Sequence, residues 1–399
     1  MVRWRLPLAG LIVLGGWASS CSPADFESST VIDGVRILAS RARPSPRVKP
    51  GDTVTLDLLA YDGRVNPVGT MNLTWLPLPC INPAGDAYYA CFATLGAGGG
   101  AGTRLVATPD AGADAGAGAD AGAGAGADAG AGADAGAGAG AGAGTDAGAG
   151  AGAGADAGAI ALQPGVDLTP FLISGPSATF TMPEDVIIPR TGVTPSYGLV
   201  IVFNFACTGH IELLPYDPNS GNPQQIPIGC FDSNHNQLGA DDFVFGFTRV
   251  YATEMPTEEN PVITHVDLGG PTLEIDGGTT TAPFVVPLCA DSDGGKACDH
   301  PIGPVLLSGP PSSEEVWADF YATVGTFSSS ARLLYEPMVT LSVPSGTNNM
   351  YSAPGTLEGA PRDNFLWIVV HDDQEGADWV TVPLEFGSKA ADGGTTVAP

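Results

Sequence analysis

Positive charge is scarce in this 399-residue sequence. Its 15 Lys and Arg residues face 43 Asp and Glu residues, which gives a formal net charge of −28. Eight of the 15 basic residues fall within the first 64 positions, so the rest of the chain is acidic and sparsely basic. Such a surface repels phosphate groups instead of neutralising them. We therefore expect no nucleic-acid partner.

The sequence also lacks the short motifs that carry catalysis or clustered metal ligands. It contains no CxxC, HExxH, GxSxG or GKS/GKT pattern, and its five histidines are scattered singly. The first two patterns supply metal ligands, whereas the last two supply a nucleophile and a phosphate cradle. We therefore predict that the protein is not an enzyme and has no cofactor. An enzyme of unrecognised type stays open as an alternative.

Signals for long helices are few. The chain has 35 prolines and 56 glycines, which interrupt helices. In TVTLDLLAY (53–61), apolar residues at even positions alternate with mostly polar ones, as in a strand with one buried face and one mostly wet face. Other strand-like stretches are VRILA (35–39), NLTWLPL (72–78), ATFTMP (178–183), YGLVIVFNFAC (197–207), DFVFGFTRVYAT (242–253) and, after residue 261, VITHV, TLEI, APFVVPLC, VWADFYATVG, ARLLY, NFLWIVVHDD and DWVTVPLEF.

Many short strands separated by turn signals are typical of β-sandwiches. VRILASRARPSPRVKPGDTVTLDLLAYD (35–62) resembles the first two strands of immunoglobulin-like (Ig-like) modules of bacterial surface proteins. NFLWIVVHDDQEGADWVTVPLEF (364–386) resembles the last hairpin of PKD- or fibronectin-III-like domains. The resemblance implies a fold and no functional residues. We predict an all-β protein with Ig-like β-sandwich domains at 35–256 and 257–388, followed by a flexible tail at 389–399.

The first 21 residues have the order of an export signal. MVRWR supplies two arginines, and LPLAGLIVLGGWASS is apolar but too short and Gly-rich to cross a bilayer of about 30 Å. Ala18-Ser19-Ser20-Cys21 resembles a bacterial lipobox, which implies cleavage before Cys21 and a lipid anchor on its sulfur. We expect a signal peptide at 1–20, a lipidated Cys21, a tether at 21–34 and, because Ser22 follows the cysteine, outer-membrane placement. The alternative is a secreted protein with a free thiol.

Six further cysteines follow Cys21, an even number in an exported chain. Six cysteines allow fifteen connectivities. Neighbouring cysteines bracket loops rich in Pro, Gly, Asn or Asp, and an oxidising compartment favours disulfides over a zinc site. We predict three local pairs: Cys80–Cys91, Cys207–Cys230 and Cys289–Cys298.

Residues 96–160 are almost entirely Gly, Ala and Asp. An Asp interrupts the Ala-Gly alternation every 4 to 12 residues, which opposes the dry stacking of silk-like sheets. The stretch also lacks the apolar residue every nine positions that a calcium β-roll needs. Since it offers almost nothing large to bury, we predict a disordered, low-complexity insertion within the first domain.

Two loops have oxygen ligands at alternating positions, as calcium loops do. CFDSNHNQLGADD (230–242) offers Asp232, Asn234 and Asn236, and CADSDGGKAC (289–298) offers Asp291 and Asp293. Neither completes an EF-hand pattern. A solvated turn beside a disulfide is the alternative at both loops, because Asp, Asn and Gly also suit tight turns.

Two further features are candidates for binding or catalysis. HDDQEGADW (371–379) holds carboxylates that glycoside hydrolysis could use, but we interpret it as an exposed hairpin turn with nothing to raise one pKa. Strand aromatics could form a carbohydrate platform if they shared an exposed face, or they could belong to the core. The four residues are Trp317, Tyr321, Trp367 and Trp379.

Together these features predict a non-enzymatic, lipid-anchored lipoprotein of the cell surface or outer membrane. Its disulfide-stapled sandwich modules would serve binding or structural roles, with the membrane as one partner and a surface protein or polysaccharide as another. A carbohydrate- or calcium-dependent adhesive module is the alternative.

Overall fold

A computed structural model describes most of the chain between residues 30 and 387. The described ranges are 30–92 (without 66, 68 and 78), 165–189 (without 166), 195–215, 226–256, 259–268, 273–288 (without 274, 277 and 281), 299–308 (without 304), 314–336 and 348–387 (without 359 and 362). The predicted signal peptide, Cys21, the insertion at 96–160 and the tail at 389–399 lie outside these ranges.

Within them the protein is mostly β-structured, with 3₁₀ turns at Ala84–Asp86 and Thr169–Phe171 and a short helical turn at 90–92, so the predicted all-β fold class is confirmed. We call residues 30–256 the first half and residues 259–387 the second half. The strands of the first half are β1 (Val35–Arg43), β2 (Arg47–Val48), β3 (Thr53–Asp62), β4 (Asn72–Trp75), β5 (Cys80–Ile81), β6 (Ile173–Ser174), β7 (Ser177–Thr181), β8 (Gly198–Cys207), β9 (His210–Leu213), β10 (Ile228–Phe231) and β11 (Phe243–Ala252).

Two sheets of the first half pack face to face. One has the order β1-β3-β7, and the other has the order β2-β11-β8-β4-β6, with β5 also paired to β8. The period-two pattern of β3 and β8 puts every second side chain into the space between the sheets. The core there includes Ala42, Val54, Leu56, Leu58, Trp75, Val200, Val202 and Val250.

The central strand β8 is buried on both faces, since all ten of its residues are buried. Its outer face carries Leu199, Phe203 and Phe205, which pack with Phe92 from the segment after β5. The disulfide Cys80–Cys91 closes that segment over the sheet. The strands β9 and β10 form a separate two-stranded sheet whose residues Ile211 and Ile228 join the same cluster.

The second half has its own sheets and core. Its strands are β12 (Ile263–Val266), β13 (Ile275–Asp276), β14 (Thr279–Thr280), β15 (Phe284–Pro287), β16 (Asp299–Ile302), β17 (Val305–Leu307), β18 (Val316–Ala322), β19 (Thr326–Phe327), β20 (Ala331–Tyr335), β21 (Asn349–Ser352), β22 (Phe365–Asp372) and β23 (Ala377–Gly387). A seven-stranded sheet has the order β13-β14-β23-β22-β18-β20, with β15 beside β23. Alternate side chains of β23 are buried in the core at Val380, Val382 and Leu384.

The segment before β1 joins the two halves. The backbone N–H of Ile32 donates to the carbonyl of Ala322 at 3.2 Å, and the N–H of Ala322 donates to the carbonyl of Thr30 at 2.8 Å. Thr30 and Ile32 are 3% and 1% exposed. Residues 30–32 of the predicted tether therefore pack against the second half, because Val31 pairs with Ala322 as in a parallel β-bridge.

The outer face of β3 is less exposed to solvent than its sequence pattern predicts. Asp57 is buried, and its carboxylate accepts hydrogen bonds from the guanidinium of Arg43 at 2.5 and 2.9 Å. Arg41 also contacts Asp57 and donates to Asp378 of the second half at 2.6 Å. A charged residue is tolerated there because arginines pair with it where the two halves meet.

Candidate functional site

Two histidines and a glutamate converge at one end of the first half. His210 and Glu212 lie two residues apart on β9, so their side chains share one face of the strand. His235 comes from the turn that follows β10. Its Nδ1 lies 2.5 Å from Oε1 of Glu212, and Nε2 of His210 lies 2.6 Å from the same oxygen. One metal-ligating atom from each residue falls within 4.8 Å of the other two. We call these three residues the His–Glu–His cluster.

A disulfide and a strand register fix the two segments that carry the cluster. Cys207 ends β8 and is bonded to Cys230 in β10, with their Cα atoms 5.8 Å apart. In the antiparallel register of β9 and β10, Glu212 stands opposite Gly229 and His210 stands opposite Phe231. Glycine opposite Glu212 leaves the carboxylate without a facing side chain. The ligand-bearing segments are therefore held together whether or not an ion binds.

The turn at 232–236 presents His235 and is stabilised by Asp232. One oxygen of Asp232 accepts the backbone N–H groups of Asn234 and Asn236 at 2.8 and 2.9 Å, and its other oxygen accepts the Asn236 side chain at 3.0 Å. These bonds from Asn236 and Asn234 hold the pKa of Asp232 below its ordinary value. His235 has φ 60°, a left-handed conformation that non-glycine residues seldom adopt. The residues predicted to bind calcium here shape the turn, and calcium binding stays a prediction.

The carboxylate at the centre of the cluster is buried, whereas one imidazole is open to water. The side chain of Glu212 is 6% exposed, that of His210 is 21% exposed and that of His235 is 70% exposed. Burial by itself raises the pKa of Glu212, but the hydrogen bonds and charge of His235 and His210 outweigh it and leave that pKa lowered. Glu212 is therefore an ionised acceptor at neutral pH. Two imidazoles and one carboxylate form a donor set that proteins use for zinc.

The other predicted site residues divide into two groups. The disulfides Cys80–Cys91 and Cys207–Cys230 are present as predicted. Cys21, the pair Cys289–Cys298 and the second calcium loop with Asp291 and Asp293 lie outside the described residues.

A cleft of about 280 Å³ lies between the halves, beside the acidic turn at 371–379. Arg249 of β11 crosses it to pair with Glu375 at 3.0 Å. Asp372 is 3% exposed, although the sequence predicted an exposed turn. Its Oδ1 accepts the backbone N–H groups of Gln374 and Gly376 at 2.9 and 2.7 Å, so the carboxylate folds back into its own turn. Burial raises the pKa of Asp372, contrary to our expectation that nothing in this turn would do so.

The aromatic residues considered as a carbohydrate platform share one face of the seven-stranded sheet. Their cross-strand pairings place them there: Tyr321 opposite Trp367, Trp317 opposite His371 and Val369 opposite Trp379. The face turns toward the first half. The ring of Trp367, a residue only 3% exposed, lies 4.8 Å from that of Tyr61, and the guanidinium of Arg41 lies 4.3 Å from the ring of Trp379. These aromatics pack the two halves together.

Comparisons with protein-family models, with curated proteins and with solved structures found no match for this chain. Across the portion that the structure describes, no helix has the length and apolar character needed to cross a membrane.

The His–Glu–His cluster was missed at the sequence level because no short motif marks it. Glu212 and His235 are 23 residues apart, a separation typical of no zinc motif. A signal was nevertheless present. His-x-Glu on a strand puts two ligands on one face, and the predicted Cys207–Cys230 disulfide brings the segment after Cys230 beside that strand.

Proposed function

We propose that this chain is a lipid-anchored, non-enzymatic protein of the bacterial outer membrane or cell surface, whose Ig-like sandwich modules have a binding or structural role. The observation that carries the proposal is the pair of disulfides in the first half. Cys207 and Cys230 are 1% and 0% exposed, so their disulfide is part of the core. Disulfides of this kind persist in oxidising compartments outside the cytoplasm, which agrees with the export signal predicted before Cys21.

The packing of polar groups supports a non-enzymatic role. In the cleft between the halves, Asp372 holds backbone amides and Glu375 pairs with Arg249. Both carboxylates thus have structural partners. The acidic composition, with a net charge of −28, favours solubility outside the cell and repulsion from nucleic acids.

Fatty-acid labelling of cells that express the full chain tests the anchor. The wild-type chain should take up a clickable fatty acid and sediment with membranes, and Cys21→Ala should abolish both. Cys21→Ala is matched by Cys80→Ala/Cys91→Ala, which removes two disulfide-bonded cysteines without touching the lipobox-like segment. An unmodified Cys21 in mass spectra of the mature wild-type protein would overturn the anchor proposal.

A further inference from the structure

We propose that His210, Glu212 and His235 bind one divalent transition-metal ion, zinc foremost, through Nε2, a carboxylate oxygen and Nδ1. This site goes beyond the proposed lipoprotein function and does not depend on it. It adds a specific ligand, Zn²⁺, that no sequence motif predicts for this surface.

The donor atoms select the class of metal. Calcium and magnesium take oxygen ligands almost exclusively, whereas imidazole nitrogens suit zinc, copper, nickel and related ions. Two imidazoles with one carboxylate are also a known zinc donor set. The cluster therefore favours zinc over calcium, although the neighbouring turn is rich in oxygen atoms.

The spacing of the donors lies close to what an ion requires. Tetrahedral zinc with bonds of about 2.0–2.1 Å holds its ligand atoms roughly 3.3 Å from one another. The two His–Glu contacts are 2.6 and 2.5 Å, so each ring must withdraw by about 0.7–0.8 Å to admit the ion. His235 can do so because its side chain is 70% exposed and lies on a turn. The two hydrogen bonds from the histidines to Glu212 thus hold the donor groups around the position that the metal ion would occupy.

One side of the site is open to solvent. Glu212 lies at the base with a 6% exposed side chain, and His235 reaches over it from the solvent side. Three protein ligands leave a fourth tetrahedral position for water or for a donor from another molecule, as in open zinc sites. The bound ion could therefore accept an external carboxylate or imidazole ligand.

The framework around the cluster reduces the cost of assembling it. The Cys207–Cys230 disulfide ties β10 to the end of β8, three residues before His210, and the carboxylate of Asp232 holds the turn that presents His235. A site with preset ligands binds its ion more tightly than one that must first be ordered. Neither device contributes a ligand atom to the cluster.

Calorimetric titration of the full chain with ZnCl₂, after alkylation of any free thiols, tests the proposal. We expect one saturable zinc per chain. His235→Asn should raise the zinc dissociation constant by at least about 100-fold, beyond the 10–100-fold typical of residues behind the ligands. Asparagine tolerates the left-handed conformation at this position, so the turn should survive. The matched control is His265→Asn, which alters an exposed histidine on β12 and should leave zinc affinity unchanged.

Several results would overturn the site. One is a wild-type chain that binds no zinc in a saturable way, and another is a zinc affinity that stays unchanged in His235→Asn. A reduction of zinc affinity in His265→Asn as large as that in His235→Asn would also overturn it. Calcium binding with no zinc binding would also overturn it and would favour the oxygen ligands of the Asp232 turn. Circular dichroism of both variants excludes unfolding as the cause of a lost signal. Absence of zinc binding would leave the Cys21 labelling result untouched, so the two proposals can fail separately.

Discussion

Removal of the Cys207–Cys230 disulfide should lower the free energy of unfolding by about 3–5 kcal/mol. The two cysteines are 23 residues apart, and closing a loop of that length in the unfolded chain is worth about 3.4 kcal/mol at 25 °C in the chain-entropy model. Both residues are buried, so Cys207→Ala/Cys230→Ala also loses some packing. The same estimate for Cys80–Cys91, with a separation of 11, is about 2.8 kcal/mol.

Urea denaturation followed by circular dichroism measures both losses, with Cys80→Ala/Cys91→Ala as the matched variant. The Cys207–Cys230 variant should also bind zinc at least about 10-fold more weakly, since its ligand-bearing segments are no longer fixed. The other variant should keep wild-type zinc affinity, because its disulfide lies over a different part of the sheet. The loop-closure reasoning would be refuted if the Cys207–Cys230 variant lost less than about 1 kcal/mol of unfolding free energy while the slope of that free energy against urea concentration stayed the same.

Three further changes test the packing and electrostatics of the fold. Hydrogen bonds from Arg64 outweigh burial and lower the pKa of Asp62, so this pair stabilises the protein above pH ~4 and the benefit is lost as the pH falls. In Asp62→Asn, the free energy of unfolding should therefore fall less steeply between about pH 5 and 3 than in the wild-type protein. An equal pH dependence of the free energy of unfolding in the two proteins would contradict this. Trp367→Ala should cost about 3–5 kcal/mol in urea denaturation, because this side chain is buried between the halves. Gly325→Ala should lower the melting temperature and cost at least about 1–2 kcal/mol of unfolding free energy. The reason is that φ at this residue is +77° and the new Cβ would lie 2.6 Å from the Tyr351 hydroxyl. An unchanged melting temperature would refute this explanation.

Long strands were predictable where apolar, β-branched and aromatic residues ran between turn residues. The stretch predicted at 197–207 is β8 (Gly198–Cys207), and the one predicted at 242–253 is β11 (Phe243–Ala252). Turn residues ended both stretches within one or two positions of the observed bounds. Local pattern sufficed there because each strand is long and carries side chains that only a sheet buries well.

The face that each strand turns to the other half could not be predicted. Asp57 and Trp367 both lie on outer faces. The sequence pattern assigned Asp57 to the wet face of its strand and left Trp367 open between the core and an exposed binding face. They are buried because the two halves pack together, and that packing depends on pairs such as Arg41 with Asp378 that are 337 residues apart. Periodicity within one strand carries no information about such distant partners.

The candidate metal site was only partly predictable for a similar reason. Cysteine spacing predicted the disulfide that holds it. The strand β9, which places His210 and Glu212 on one face, was not among the predicted strands. The third ligand depends on the register of β9 with β10 and on the left-handed backbone of His235. Neither follows from composition or spacing.

The ends of the segment 93–164 have a practical consequence for altering this protein. Phe92 packs against Phe203 with ring centroids 4.8 Å apart, and the N–H of Leu168 donates to the carbonyl of Ile211 at 2.7 Å. Phe92 and Leu168 belong to one hydrophobic cluster, so the described residues on the two sides of this segment lie at the same face of one sheet. Doubling the length between fixed ends adds only about 0.6 kcal/mol of closure entropy. The position is thus a natural graft point, where a reporter domain or an epitope could replace the Gly-Ala-Asp tract while both anchoring residues stay in place.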